Sequence, residues 1–397
     1  MPVVEQSELE TNWSLITDDE GLQAAAALIA AGTGPVGVDA ERASGFTYGA
    51  EAYLVQVYRR GTTPFLFDPV GISSFAPLAE VLSEEEWILH AASQDIPCLD
   101  ELGLHPDRLF DTELAARLLG YDRVGLGAIV EQLLGIHLEK AHSAADWSQR
   151  PLPESWLEYA ALDVALLPDL RDAVAADLEA QGKTEFARQE FEAVRTKPAK
   201  PKAAEPWRKL SGSHALKSPR SLALARELWV ARDELARERD VAPGRLIPDS
   251  SVVSAAVANP RSKNDLSRLA TFKGRASRTE LDRWWRAVLA GKTTEDLPGT
   301  KPRDPDAIPH HRGWAQRHPE AAERLAAARA AVEAEAEHQG IPIENLLTPD
   351  HLRRLVWRPP ADPSAENIAL RLRELGAREW QVGIVAPIIA GAFVDMR

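Results

Sequence analysis

Pro35-Val36-Gly37-Val38-Asp39-Ala40-Glu41 is the stretch on which the reading of this chain turns. Side chains alternate faces along a strand, so Val36, Val38 and Ala40 point one way and Asp39 and Glu41 the other. Two carboxylates side by side on one strand face repel each other. A hard-cation site needs such a pair, whereas a solvated strand face merely tolerates it. Outward from this segment, AYLVQVY (52–58) and PFLFDPV (64–70) read as two more strands joined by short loops with Gly. Residues 18–31 read as a helix before them. After them come a helix at FAPLAEVLS, a strand at EWILHAA (86–92) running into a helix from about Ser93, and RLFDTELAARLLG, which starts as a strand and ends as a helix. Three meandering strands followed by strand–helix units predict a mixed sheet flanked by helices.

Two further acidic pieces follow. Asp95 stands where the strand holding His90 gives way to a helix, a place where an acid also serves the helix dipole. Tyr159 and Asp163 are four residues apart, on one face of a helix rich in Leu and Trp, where a tyrosine also packs as core. Each piece alone has a structural explanation. Together they form a set of four carboxylates with no His or Cys, hard oxygen donors that suit Mg²⁺ or Mn²⁺ rather than Zn²⁺. The glycines Gly32, Gly34 and Gly37 satisfy a dinucleotide-binding spacing, but they follow a helix and open a strand, the reverse of what that motif requires. His310-His311 lacks metal-ligand spacing.

The net charge of −14 conceals two unlike halves. Residues 1–194 carry 34 acidic and 11 basic side chains, a balance of −23, and residues 195–397 carry 26 and 35, a balance of +9. An acidic unit that needs cations joined to a basic unit that holds polyanions accounts for the asymmetry. The break is TKPAKPKAAEPWRK (196–209), which lacks apolar periodicity and reads as a linker. Beyond it the strand signal disappears. A long amphipathic helix with Pro219 in its first turn is followed by Val241-Ala-Pro243 and Leu246-Ile247-Pro248-Asp249. Ile341-Pro342 and Leu346-Leu347-Thr348-Pro349-Asp350 echo that pattern about 100 residues on, again after a long charged helix, which implies two small helical units. In DRWWRAV, Trp284 and Trp285 could stack on bases, with helical core the competing use.

The order and spacing of the acidic pieces resemble the ribonuclease D branch of the DEDD exonucleases: a DxE strand, an Asp at a strand–helix junction and a YxxxD helix. Glu158 stands where the sister branch has His, so the resemblance is to the tyrosine branch. It covers about residues 20–192, including DWSQRPLPESWLEYAALDVALL (146–167). Residues 206–285 resemble the helicase-and-RNase-D C-terminal (HRDC) domain, and 310–397 look like a second, degenerate copy. The resemblance implies an α/β ribonuclease H-like exonuclease domain (1–194), a linker (195–208), an HRDC domain (209–292) and a second HRDC-like all-α domain (310–397). It implies two divalent cations, Mg²⁺ or Mn²⁺. Asp39 would bridge both, Glu41 and Asp163 would hold the one that activates water, Asp95 would support the other, and Tyr159 would orient the water. Gln56, His90 and Lys140 are the expected contacts to the terminal nucleotides. The expected activity is removal of 5′-nucleoside monophosphates from RNA 3′ ends, in trimming of structured RNA such as tRNA precursors. A DNA 3′-5′ exonuclease and a non-catalytic nucleic-acid scaffold are the alternatives, and the complete acid set favours an enzyme. A single cysteine, Cys98, and an acidic N-terminus without an apolar run point to a cytoplasmic protein. The apolar stretches 24–32 and 382–394 are too short for a membrane span of roughly 20 residues. A monomer is the expectation.

Overall fold

The computed structural model describes residues 4–5, 12–139, 145–199, 201, 203–299 and 307–394. Its strands are β1 Val4–Glu5, β2 Ser14–Ile16, β3 Thr33–Arg42, β4 Ala52–Arg60, β5 Phe65–Phe67, β6 Glu86–Leu89, β7 Arg108–Asp111 and β8 Ile136–His137. Six of them form one sheet in the order β2-β5-β4-β3-β6-β7, while β1 and β8 pair separately. The hairpins β3/β4 and β4/β5 are antiparallel, and the pairs β3/β6, β6/β7 and β2/β5 are parallel. The sheet is therefore mixed, as its meander followed by strand–helix units predicts.

The alternation read from the first strand is realised. Val36, Val38 and Ala40 are buried in the large core with Val55 and Val57, together with Leu22, Ala25 and Ile29 of the helix Asp19–Ala30. Leu54, opposite Glu41, lies on the other face in a smaller cluster with Leu66, Trp147, Leu157 and Ala160. Asp39 and Glu41 thus share a face with the helix Glu154–Ala165 packed on it.

Two strands end earlier than their apolar runs. The one expected over 64–70 stops at Phe67, because the Asp68 side chain accepts from Val70 N and starts a 3-10 turn. The one expected over 86–92 stops at Leu89, since Ala91 is left-handed with φ 63°, and a 3-10 turn at Ala92–Gln94 precedes the helix Ile96–Glu101. The short edge strand β2 has no counterpart in the sequence reading.

The internal echo corresponds to repeated structure. Helices Pro219–Glu238, Pro243–Leu246 and Asp249–Ala258 follow the same order as Pro319–Gln339, Ile343–Leu346 and Pro349–Trp357. The two units pack differently. Residues between Leu210 and Val288 form their own core, whereas apolar residues from Trp314 to Phe393 belong to the core that also holds the sheet. At that junction Phe186 and Trp380 stack with centroids 4.5 Å apart. Trp380 Nε1 donates to Glu190 Oε1 at 3.1 Å, and Arg378 pairs with Glu190 at 3.1 Å. The first helical unit instead touches the loop that follows β3. Ala242 N donates to Phe46 O at 2.9 Å, Arg245 Nε to Gly45 O at 2.5 Å, and the Arg245 guanidinium lies 4.0 Å from the centre of the Phe46 ring. Among the described residues, no helix is long and apolar enough to cross a membrane.

Candidate active site

The four carboxylates arrive from three places in the fold. β3 carries Asp39 and Glu41 to the face covered by the helix Glu154–Ala165. Gly37 lets that helix approach. A Cβ at this position would lie 2.9 Å from Val164 O and 3.2 Å from Leu167 Cβ, so any side chain would push away the helix that bears Asp163. With the helix close, ligand oxygens of Asp39, Glu41 and Asp163 lie within 4.8 Å of one another.

Asp95 comes from the turn after β6, and Asp111 shapes that turn. The buried Asp111 carboxylate accepts from Ala91 N at 3.1 Å and Ala92 N at 2.9 Å. It also accepts from Glu113 N at 3.0 Å and Leu114 N at 3.1 Å, capping the helix after β7. One side chain thereby ties the left-handed turn before Asp95 to the end of the neighbouring strand.

Burial and mutual repulsion disfavour ionisation of all four acids. Burial pushes Asp39 up to about 6, opposed by the Ala40 backbone hydrogen bond and by Arg42. Burial, then Asp39, Asp163 and Asp95, push Glu41 up to about 9. Burial and Asp39 push Asp95 up to about 8, and burial holds Asp163 well above the carboxylate range. Such a cluster is unfavourable as a structural element and is what a divalent cation relieves. The donor chemistry fits: carboxylate oxygens converge, and the described residues add no soft ligand to the group. Tyr159 hydrogen-bonds Asp163, and burial together with that carboxylate raises its phenol, so it stays protonated.

The expected substrate contacts fare differently. Gln56 is 0% exposed and pairs with Asp39 across the β3/β4 ladder. Sealed as it is in this structure, it offers no surface to a nucleotide, which runs against that expectation. Its Oε1 and Nε2 have no hydrogen-bond partner among the described residues. His90 is half-buried, its Nδ1 lies 2.9 Å from Thr112 Oγ1, and burial lowers its pKa to about 4, so it is neutral at pH 7. Lys140 lies outside the described residues. Trp284 is fully buried and its Nε1 donates to Ala276 O, so it serves the core and not base stacking, while Trp285 is half-buried. Sequence reasoning missed two residues. The Asp-Thr-Glu pattern that caps a helix at Asp111 was available as a signal. Arg42, whose Nη2 lies 3.5 Å from Asp95 Oδ1, had only its place beside Glu41 to mark it.

Residues 14–179 match a family model for the 3′-5′ exonuclease, residues 221–288 one for the HRDC domain, and residues 307–393 one described as the 3′ to 5′ exonuclease C-terminal domain. The last helical unit, read as a degenerate HRDC copy, thus matches a model of its own. Sheet, acid cluster and helical units define the class: a 3′-5′ exonuclease fold with an HRDC domain and a further helical domain. Within that class the chain belongs to the ribonuclease D family. It is 31% identical over 263 residues to the ribonuclease D of Escherichia coli K12, covering 65% of this chain and 69% of that one. The crystal structure of E. coli RNase D, described as an exoribonuclease involved in structured RNA processing, superposes with a TM-score of 0.69 at 26% identity, over 92% of this chain and 99% of that one. A protein from Bifidobacterium adolescentis superposes with a TM-score of 0.87 at 35% identity, over 97% of this chain and 100% of that one. The match to the ribonuclease D of Nitrobacter hamburgensis, 32% identical, spans 54% of this chain and 56% of that relative's length.

Proposed function

We propose that this chain is a 3′-5′ exoribonuclease that removes 5′-nucleoside monophosphates one at a time from RNA 3′ ends. The observation that carries this reading is the convergence of Asp39, Glu41 and Asp163 within 4.8 Å, with Asp95 near enough for the Asp39 charge to disfavour its ionisation. Asp39, Glu41, Asp95 and Asp163 would hold two Mg²⁺ or Mn²⁺ ions. When bound, these would lower the pKa of the attacking water so that it loses a proton and attacks as hydroxide, and would neutralise charge on the leaving oxygen.

The chain's own residues do the rest. The Tyr159 phenol, one helical turn before Asp163 and protonated, cannot act as a base; it holds the attacking water by a hydrogen bond. Attack on the last phosphorus forms a new P–O bond and breaks the bond to the preceding O3′. The products are a nucleoside 5′-monophosphate and an RNA shortened by one residue with a free 3′-hydroxyl. His90, neutral and half-buried, suits a base or sugar contact better than a phosphate.

RNA would be held by the basic half. Some of its charge is already engaged internally: Arg195 pairs with Glu192, Arg208 with Glu205, and Arg220 donates to Gly291 O and Thr294 O. Arg268, Lys273 and Arg275 are exposed, with no ion pair among the described residues, and are the better phosphate contacts. The structured-RNA role of the E. coli relative makes structured RNA tails the favoured substrate.

The test is degradation of matched 3′-labelled RNA and DNA oligomers by the full-length protein with Mg²⁺, with Mn²⁺ and with chelator. Metal-dependent release of mononucleotides from RNA supports the reading. Preference for DNA would reassign the substrate, and no turnover with any metal would reduce the fold to a scaffold.

A further inference from the structure

Four carboxylates meet at the site, and among the described residues Arg42 is the basic side chain paired with one of them. Arg42, the last residue of β3, places Nη2 3.5 Å from Asp95 Oδ1, and its positive charge opposes the upward shifts of Asp39, Glu41 and Asp95. The β3/β4 register slips between Glu41 and Arg42, an irregularity that adds local twist and re-aims side chains at strand ends.

The pairing is loose by the standard of this molecule. Arg150 grips Asp68 with two bonds of 2.6 and 2.7 Å and also donates to Trp147 O and Tyr53 O. Arg59 combines Glu85 at 2.7 Å with Gly34 O and Ile29 O. Those are structural clamps. Arg42 has a single contact, longer than a normal N–H···O bond, and no other ion pair or side-chain hydrogen bond among the described residues. Its guanidinium is partly exposed, so donor positions remain open beside the acid cluster.

We propose that Arg42 exchanges partners during the reaction cycle, resting against Asp95 while no cation is bound and grasping the phosphate of the terminal nucleotide once a cation takes Asp95. This rests on the cation-dependent exonuclease reading above. A cation and a guanidinium on one carboxylate repel each other, so loading the cation weakens the Arg42–Asp95 pair. A released guanidinium can grip two phosphate oxygens with its planar fork and stabilises charge that grows there. Arg42 therefore competes with the cation and assists the substrate.

These opposed signs separate exchange from a fixed role. If Arg42 merely braced Asp95, its loss would loosen the site and weaken cation binding. If it exchanges partners, its loss strengthens cation binding and weakens substrate handling. The experiment compares full-length wild type, Arg42→Gln and Arg42→Lys. Mn²⁺ affinity is measured by calorimetry without RNA. At saturating Mn²⁺, kcat/KM on an RNA oligomer and competitive inhibition by adenosine 5′-monophosphate and by adenosine are then measured. Arg42→Gln is expected to bind Mn²⁺ about threefold to tenfold more tightly. Its kcat/KM should fall on the order of tenfold to hundredfold, with inhibition by the monophosphate weakened and that by adenosine unchanged. Arg42→Lys, a point charge without the fork, should bind Mn²⁺ as the wild type does and lose part of kcat/KM. It carries the test if Arg42→Gln fails to fold by circular dichroism. Equal or weaker Mn²⁺ binding by Arg42→Gln, or wild-type kcat/KM in the variant measured, overturns the exchange. If the wild type itself binds no Mn²⁺, the cation reading falls, and the exchange with it.

Discussion

Loading divalent cations into the carboxylate cluster should expel protons, and the number follows from the site. At pH 7 Glu41, pushed up to about 9, and Asp95, up to about 8, hold protons, while Asp39 at about 6 is mostly ionised; burial raises Asp163 as well. A cation binds the carboxylate and not the acid, so filling the site at pH 7 should release at least two protons, those of Glu41 and Asp95. The sign for stability follows as well. These folded-state values lie above those of the unfolded chain, so between about pH 4 and pH 9 the folded, cation-free protein holds more protons than the unfolded one. Its contribution from these groups is present in full below the unfolded values and is lost as pH rises through the folded ones. Cation affinity should rise over the same window and level off above about pH 9. The assay is calorimetric titration with Mn²⁺ in two buffers of different ionisation enthalpy at equal pH, from which the difference in apparent heat counts protons. A companion melting series with and without Mn²⁺ should show the gain in Tm growing with pH. No proton release, with affinity flat from pH 6 to 9, would refute the electrostatic argument.

Three other outcomes are expected. Tyr159→Phe should keep Mn²⁺ and RNA affinity but lower turnover by roughly 10²-fold, since it loses the hydroxyl that holds the water; wild-type turnover would leave Tyr159 as packing alone. Reversing Arg268, Lys273 and Arg275 to Glu should reduce the slope of log affinity against log salt by about 2, at about 0.7 per phosphate contact on single strands; an unchanged slope removes these residues from the RNA path. Trp380→Ala should cost about 3–5 kcal/mol in urea unfolding, because a buried ring stacked on Phe186 is lost. The sheet and the last helical unit should still unfold in one transition, and a separate early transition of the helical unit would contradict their shared core.

The acid set is legible in the sequence because its chemistry constrains residue type and spacing at once: alternation on a strand for Asp39 and Glu41, a helical turn for Tyr159 and Asp163. The mixed sheet follows from the same periodicities. What escapes reading depends on contacts between distant segments. Gln56 looks like a polar residue beside a cleft, and only the folded packing shows that it is sealed. Arg42 is one of 46 basic residues, and nothing in its spacing predicts a guanidinium turned to Asp95. The strand at 86–92 reads as longer than it is because Ala91 carries no local signal for a left-handed turn, a conformation supported by Asp111 twenty residues on. The last helical unit reads as a separate body because its amphipathic helices do not reveal which partner covers them, and here the exonuclease helix Thr184–Arg195 is among those that do.

The measurement that bears most directly on the central claim is product release from one 3′-labelled RNA by full-length wild type and Asp39→Asn, each with Mg²⁺ and with excess chelator. The account predicts labelled 5′-mononucleotide only from the wild type with Mg²⁺, with Asp39→Asn folded and inactive. Full activity in excess chelator, or wild-type rates in Asp39→Asn, would contradict it.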